Sequence, residues 1–198
     1  MVLLIFNRPG SARRVAESII QARPSALYVV ADGPRANHPE DQRLCSETRQ
    51  TVMSLDWQCP VHTLFADENM GLKARVSSGL DWVFDKEDSA IILEDDCLAD
   101  SSFFPFATEL LDRYADDRHV GLVSGDNFLR GRSVDDNSYY FSPDVRIWGW
   151  ATWARVWKDF SQNGLNHQWS MEEARVAVSR IQSSARRQSL IREAENVH

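Results

Sequence analysis

Short apolar runs alternate with amphipathic segments from the N-terminus to about Gly125. Five of these runs have the length and residue types of strands: Val2–Phe6, Leu27–Ala31, Val61–Ala66, Ala90–Leu93 and Val120–Ser124. The intervals read as helices, over residues 9–23, about 39–55, from after 71 through 84, and about 102–114. Repeated strand–helix alternation with apolar strands predicts an α/β fold, a mostly parallel sheet covered by helices on both faces.

The pattern changes beyond Gly125. Residues 130–137 are polar and contain glycine, which predicts a loop, and Tyr139–Phe141 is a candidate short strand. From Ser170 onward the chain is helix-like.

A tryptophan-rich segment, residues 146–157, holds four of the seven tryptophans. Soluble proteins rarely expose so much contiguous apolar surface, so at least two of these four rings are expected in the core. Trp150, Trp153 and Trp157 have i, i+3, i+7 spacing, which favours one helical face packed on the core. Trp148 precedes a glycine, and we expect it to line a pocket where its ring can support a sugar.

Polar residues follow the first, second and fourth predicted strands. These strand ends read Asn7-Arg8, Asp32-Gly33 and Glu94-Asp95-Asp96. In doubly wound sheets ligands bind at the carboxyl ends of the strands, where the strand order reverses. We therefore expect three separate loops to converge on one crevice.

The triplet Glu94–Asp96 directly follows a buried strand. Two like charges about 4 Å apart repel by roughly 4 kcal/mol at an effective dielectric near 20, so the cluster needs a cation. Oxygen ligands of this kind suit Mg²⁺ or Mn²⁺, which bind one or two carboxylates plus substrate phosphates. The alternative is that the acids extend into water or cap the next helix.

Three further residues are candidate ligand contacts. Arg8 lies beside a helix N-terminus, where it can bind a phosphate or the edge of a base. Asp32 can accept a hydrogen bond from a base or a ribose, or stabilise its own turn. Lys73 lies one turn into a helix, where it is a point charge for a phosphate or an exposed lysine.

Composition narrows the function classes. The chain has 198 residues, with 22 Lys and Arg against 29 Asp and Glu and a net charge of −7. This balance argues against nucleic acid or an anionic membrane as a partner. No apolar run reaches the roughly 18 residues of a membrane span, and no signal-peptide pattern opens the chain. Three scattered cysteines favour reduced thiols, so we expect a cytoplasmic protein.

Several common catalytic patterns are absent from the sequence. There is no evident Ser–His–Asp or Cys–His arrangement, and the five histidines lack metal-ligand spacing. There is also no P-loop and no G-x-G-x-x-G. A nucleotide would therefore be held by strand-end side chains and a metal.

The order of these motifs resembles a known group of enzymes. The matching segments are Leu4-Ile-Phe-Asn-Arg-Pro9, Val30-Ala-Asp-Gly33, Glu68-Asn-Met-Gly71, Ile91-Ile-Leu-Glu-Asp-Asp96, Val123-Ser-Gly-Asp-Asn127 and Trp148-Gly-Trp-Ala-Thr-Trp153. Over about residues 2–160 the chain is similar to bacterial GT-A-fold glycosyltransferases related to the eukaryotic β-1,2-N-acetylglucosaminyltransferase I group. The resemblance implies a three-layer αβα GT-A (Rossmann-like) nucleotide-diphospho-sugar transferase fold.

The resemblance also implies residue roles in an inverting transfer from a UDP-sugar to a hydroxyl of a glycan or other acceptor. Asp96 matches the metal-binding acid, Asp95 the acid near the ribose, and Glu94 the acid near the transferred sugar. Arg8 and Asp32 match the pair that contacts uracil, and Lys73 matches a basic residue near the diphosphate. The implied cofactor is a divalent metal, Mn²⁺ or Mg²⁺.

The chain departs from the family pattern after the tryptophans. There the family has its catalytic base in an aromatic-acidic stretch, whereas residues 159–198 are rich in Gln, Ser and Arg. We therefore expect a nucleotide-sugar-binding domain over 1–160 and a helical segment over 161–198 that is an incomplete acceptor region. Asp126, which follows the fifth strand, is the fallback candidate for the base.

Two other functions remain open from the sequence. A non-catalytic module would keep the nucleotide-sugar pocket and lack the base. A nucleotidyltransferase shares the architecture and the acidic metal site, but a Gly-rich loop with a lysine should follow its first strand. Asn7-Arg8-Pro9-Gly10 provides neither feature.

Overall fold

The computed structural model describes residues 1–126, 136–142 and 145–164. In chain order the elements are β1 (Val2–Ile5), α1 (Pro9–Ala22), β2 (Leu27–Ala31), α2 (Pro39–Met53), β3 (Val61–Phe65), α3 (Leu72–Phe84), β4 (Ser89–Glu94), α4 (Phe103–Arg113), β5 (Val123–Ser124), β6 (Trp150–Trp153), α5 (Ala154–Asp159) and a π-helical turn (Phe160–Gly164). The chain divides into two compact units, Met1–Lys158 and Asp159–His198.

The six strands form one sheet in the order β3-β2-β1-β4-β6-β5. The first four strands are mutually parallel, with Val2 of β1 aligned with Tyr28 on one side and Ile92 on the other. β6 runs antiparallel to both of its neighbours. The predicted α/β fold with a mostly parallel sheet is therefore confirmed.

Helices cover both faces of this sheet. Because successive side chains of a strand point to opposite faces, alternate positions of β1 pack into different layers. Leu3 and Ile5 belong to a core cluster that includes residues of α1 and α4. On the other face α3 approaches β2 so closely that a Cβ on Gly79 would lie 2.6 Å from Val30.

Local sequence signals fix where the first helices begin. Pro9 and Pro39 each occupy the first turn of a helix, where the missing N–H costs nothing and the fixed φ suits the helix. α1 ends at Arg23, which has a φ of 50°, immediately before Pro24.

The tryptophan segment differs from the helix predicted for it. Trp150–Trp153 is strand β6, and α5 begins only at Ala154. All four residues of β6 are buried, because the strand lies inside the sheet between β4 and β5 and both of its faces are covered. Trp157 is also buried, in α5, so core packing is correct for three rings although the predicted single helical face is wrong.

Smaller differences concern the end of the sheet. Of the predicted strand 120–124 only Val123 and Ser124 pair with a neighbour, and Tyr139–Phe141 is not a strand. Most of the predicted loop over 130–137 lies outside the described residues, which resume at residue 136. The predicted helix after Ser170 lies wholly outside them.

The three thiols are free, with Cys45 buried and the other two half-buried. No helix in the described part of the chain combines the length and the apolar character that a bilayer span requires.

Candidate functional site

The candidate site is the edge of the sheet at the carboxyl ends of the parallel strands. Because β6 is antiparallel, it enters the sheet at this same edge. Across the edge, in strand order, lie Asp32 after β2, Arg8 after β1, Glu94–Asp96 at β4, Trp148 before β6 and Asp126 after β5. Adjacent strands are about 4.8 Å apart, so the tips of β2 and β4 are separated by about 10 Å. All the predicted strand-end residues therefore share one edge.

Arg8 joins the ends of two strands. Its Nη1 atom donates to Oδ1 of Asp95 at 3.4 Å and also donates to Oδ2 of Asp96. The side chains of Arg8 and Asp96 are about half exposed, at 55% and 50%, whereas that of Asp95 is 8% exposed. The arginine thus supplies the positive charge that the acid cluster needs.

Asp95 also ties the two strand ends together through the backbone. Its Oδ2 atom accepts a hydrogen bond of 2.9 Å from the amide of Phe6, the residue that follows β1. Beyond the acids the chain turns at once, because the amide of Cys97 donates to the carbonyl of Glu94 at 3.0 Å. This turn keeps the three carboxylates together at the tip of β4.

Burial and mutual repulsion raise the pKa values of two of these acids. The pKa of Glu94 is raised by burial and by the charges of Asp96 and Asp95, and Arg8 partly opposes that rise. The pKa of Asp95 is raised by burial, against the lowering effects of the Phe6 amide and Arg8. Ionisation of Glu94 and Asp95 therefore costs free energy in the folded state.

Asp32 is almost fully buried, at 6% exposure, and its carboxylate is bound by the chain itself. Its Oδ1 atom accepts hydrogen bonds from the amides of Gly33 and Met70, both at 2.9 Å. Its Oδ2 atom accepts from Nδ2 of Asn69 at 2.9 Å and from the amide of Gly71 at 3.1 Å. The resemblance implies a uracil contact for Asp32, but here it fastens the loop between β3 and α3 to the end of β2.

Lys73 is exposed in the first turn of α3. The helix begins after Gly71, which has a φ of 80° and is held by Asp32. The amides in the first turn of a helix have no intrahelical partner and attract anions. The start of α3 therefore lies at the same edge of the sheet as Asp32.

Asp126 and Trp148 are in direct contact. The amide of Trp148 donates to Oδ2 of Asp126 at 3.2 Å, and the adjacent amide of Gly125 donates to the carbonyl of Gly149 at 2.9 Å. Trp148 is 60% exposed. Trp148 lies two residues before Trp150, which pairs with Ile92 near the end of β4.

A second ion pair near the site was not found from the sequence. Nε and Nη2 of Arg35 donate to both oxygens of Asp41, at 2.6 and 3.1 Å, and Asn7 donates to Oδ1 at 2.8 Å. These bonds hold the pKa of the buried Asp41 well below its usual range, chiefly through Arg35. Acidic residues are common in the first turn of helices, so the presence of Asp41 there does not indicate a contact with Arg35 or Asn7.

Within the described residues, no three His, Cys, Asp or Glu side chains are arranged so that they could bind a metal ion by themselves. The structure brings Arg8, Asp95 and Asp96 into contact, and it brings Asp126 and Trp148 into contact. Glu172 and Glu173, two acids that follow the tryptophan-rich segment in the chain, lie outside the described residues.

Comparison of the sequence with protein-family models and with curated proteins gives no match.

Proposed function

We propose that this chain is a metal-dependent, inverting glycosyltransferase of the GT-A fold, which transfers a sugar from a UDP-sugar to an acceptor hydroxyl. The observation that carries the proposal is the contact of Arg8, at the end of β1, with Asp95 and Asp96, at the end of β4. The sheet order reverses between these two strands, and α/β proteins bind nucleotides at such a point.

The residues at the end of β4 fit a divalent metal. Mg²⁺ and Mn²⁺ usually keep several waters and bind through one or two carboxylates plus substrate phosphates, so a cage of three side chains is not needed. Asp96 is half exposed next to two acids whose pKa values are raised, and it would hold the ion together with the diphosphate. When bound, the ion supplies neutralising charge for the departing diphosphate.

The other strand-end residues would act on the donor. Arg8 compensates the acids and presents its half-exposed guanidinium to the nucleotide. Lys73, with the amides that open α3, offsets the negative charge of the diphosphate. Trp148 is exposed and offers its ring to the sugar.

Asp126 would be the general base. Oδ2 of Asp126 accepts the Trp148 amide, and Oδ1 would take the proton of the acceptor hydroxyl. The hydroxyl oxygen then forms a bond to the anomeric carbon, the bond from that carbon to the diphosphate oxygen breaks, and UDP leaves. β6 separates β5 from β4, so the base would lie about 10 Å from the acids, which leaves room for the sugar.

Calorimetric titration of UDP with and without Mn²⁺ tests the proposal. Wild type should bind UDP only with the metal, and Asp96→Ala should abolish binding. The matched control is Asp56→Ala, because Asp56 is exposed before β3, at the opposite edge of the sheet. UDP binding that needs no metal, or that survives Asp96→Ala, would contradict the proposal.

A non-catalytic nucleotide-sugar-binding module is the second candidate. Arg8 and the acids suffice for binding, whereas the proposed base rests on Asp126 alone. Metal-dependent UDP binding without release of UDP from UDP-sugars, tested with a panel of acceptors, would favour this candidate. A nucleotidyltransferase is disfavoured, because α1 begins at Pro9 and leaves no Gly-rich loop after β1.

A further inference from the structure

The carboxylate of Asp32 has no unused acceptor position. A carboxylate has about four lone-pair sites, and the chain fills four, two on each oxygen. Three of these bonds come from the consecutive residues Asn69, Met70 and Gly71. The side chain is 6% exposed as part of a buried turn, so a nucleobase could gain a bond only by displacing one of these donors.

The backbone around Asp32 is fitted equally closely to the same loop. A Cβ on Gly33 would lie 2.3 Å from the carbonyl carbon of Glu68, so only glycine permits this approach. Nδ2 of Asn69 also donates to the carbonyl of Gly33 at 2.9 Å. The loop between β3 and α3 is therefore held against the end of β2 from residue 68 to residue 71.

Two arginines near this junction donate hydrogen bonds to backbone carbonyls. Nη2 of Arg49 donates to the backbone carbonyls of Asp32 and Ala66, at 2.9 and 2.6 Å. Arg75 is 7% exposed and donates to the carbonyl of Leu64 and to the sulfur of Met70. Burial lowers the pKa of Arg75, and the charge of Asp32 opposes that change. The carboxylate of Asp32 thus stabilises the charge of Arg75 in the first turn of α3.

We infer that Asp32 is a positioning residue: its carboxylate sets the start of α3, and with it Lys73, at the nucleotide edge, and it does not read the nucleobase. Lys73 follows the held residue Gly71 by two positions, so the direction of its side chain depends on where the helix begins. The inference rests on the proposed function, since it assigns Lys73 to the diphosphate.

The first test compares Asp32→Asn with wild type for binding of UDP, CDP and inorganic pyrophosphate in Mn²⁺. Uracil presents an N3–H donor and cytosine an N3 acceptor, so a carboxylate that reads the base must distinguish UDP from CDP. If Asp32 is a positioning residue, Asp32→Asn should instead lower the affinity for all three ligands by a similar factor, about tenfold for one lost charge-assisted hydrogen bond. Asp67→Asn is the matched control, because Asp67 is exposed on the same loop.

Asn69→Ala provides a second variant in case Asp32→Asn does not fold. Asn69 is exposed, and its removal loosens the loop while it frees an acceptor on Asp32. Pyrophosphate affinity should fall by about tenfold in the wild-type background and by less than about twofold in a Lys73→Ala background. The inference would be overturned if Asn69→Ala changed the affinity for UDP alone. It would also be overturned if Asn69→Ala lowered pyrophosphate affinity by the same factor in the Lys73→Ala background as in wild type.

The outcomes separate this inference from the proposed function. If wild type binds none of the three ligands, both fail. If wild type binds UDP with Mn²⁺ and Asp32→Asn alters the ratio of UDP to CDP affinity, the inference alone fails.

Discussion

Nη1 of Arg8 lies 3.4 Å from Oδ1 of Asp95, although 87 residues separate them in the chain. The contact exists because β1 and β4 are adjacent and parallel in the sheet, so their carboxyl ends meet. Through it, a cation from one loop stabilises acids from another.

Arg8→Ala should weaken metal-dependent UDP binding by at least about tenfold, since a charge-assisted contact is lost. The change should cost at most about 1 kcal/mol of stability, because Arg8 is 55% exposed and solvent screens the pair. Arg13→Ala is the matched control, being equally exposed and paired with Glu17. Calorimetry and thermal melting measure the two effects, and equal UDP affinity in both variants would contradict the prediction.

Glu94→Gln should make the chain more stable at pH 7. The pKa of Glu94 is raised in the folded state, so its ionisation there opposes folding. The sign follows from linkage: wild-type stability falls as pH rises from the ordinary Glu value of about 4.3 through the raised value. Melting curves should therefore show the advantage of the variant at pH 7 and its disappearance toward pH 4. A variant less stable than wild type at pH 7 would refute this.

Asp126→Asn should separate binding from turnover. An amide keeps an acceptor for the Trp148 amide but cannot take a proton from an acceptor hydroxyl. We expect unchanged affinity for UDP and a fall in transfer rate of about 10²–10⁴-fold, the usual contribution of a general base. Titration and a UDP-release assay measure the two quantities. Undiminished transfer would remove Asp126 from the mechanism.

Gly33→Ala should destabilise the chain by about 1–3 kcal/mol, the usual cost of an inserted methyl group with no space. The added Cβ would meet the backbone of Glu68, which cannot rotate away. Gly10→Ala is the control, since a Cβ at Gly10 meets nothing within 4 Å and lies in a helix. Gly10→Ala should leave the free energy of unfolding unchanged or raise it by about 0.5–1 kcal/mol. Denaturant unfolding compares them, and equal effects would contradict the prediction.

Trp153→Ala should lower the stability of the chain, whereas Trp148→Ala should affect only donor binding. Trp153 is 4% exposed and donates through Nε1 to the carbonyl of Leu111, so its removal should cost about 3–5 kcal/mol. Trp148 is 60% exposed, so its removal should leave stability within about 0.5 kcal/mol and raise the KM for the UDP-sugar. Unfolding curves and steady-state kinetics measure these effects. A KM unchanged by Trp148→Ala would exclude the ring from the donor site.

The sequence predicted β1, β2 and β4 well because these strands are buried on both faces and read as continuous apolar runs. The same property misled the interpretation of Trp150–Trp153. A fully buried strand has no alternation of apolar and polar residues, and three tryptophans at helical spacing match a helix equally well.

The amino-acid sequence by itself determined which residues end the strands, and so which charged groups meet at one edge of the sheet. Apolar runs and turn residues are local signals, and the carboxyl ends of parallel strands always share an edge. Only the tertiary structure decided what each group contacts. Arg8 bonds to Asp95, and the carboxylate of Asp32 accepts hydrogen bonds from the loop that ends at Gly71. The physical reason is that such partners lie tens of residues apart, and their pairing depends on strand order and register.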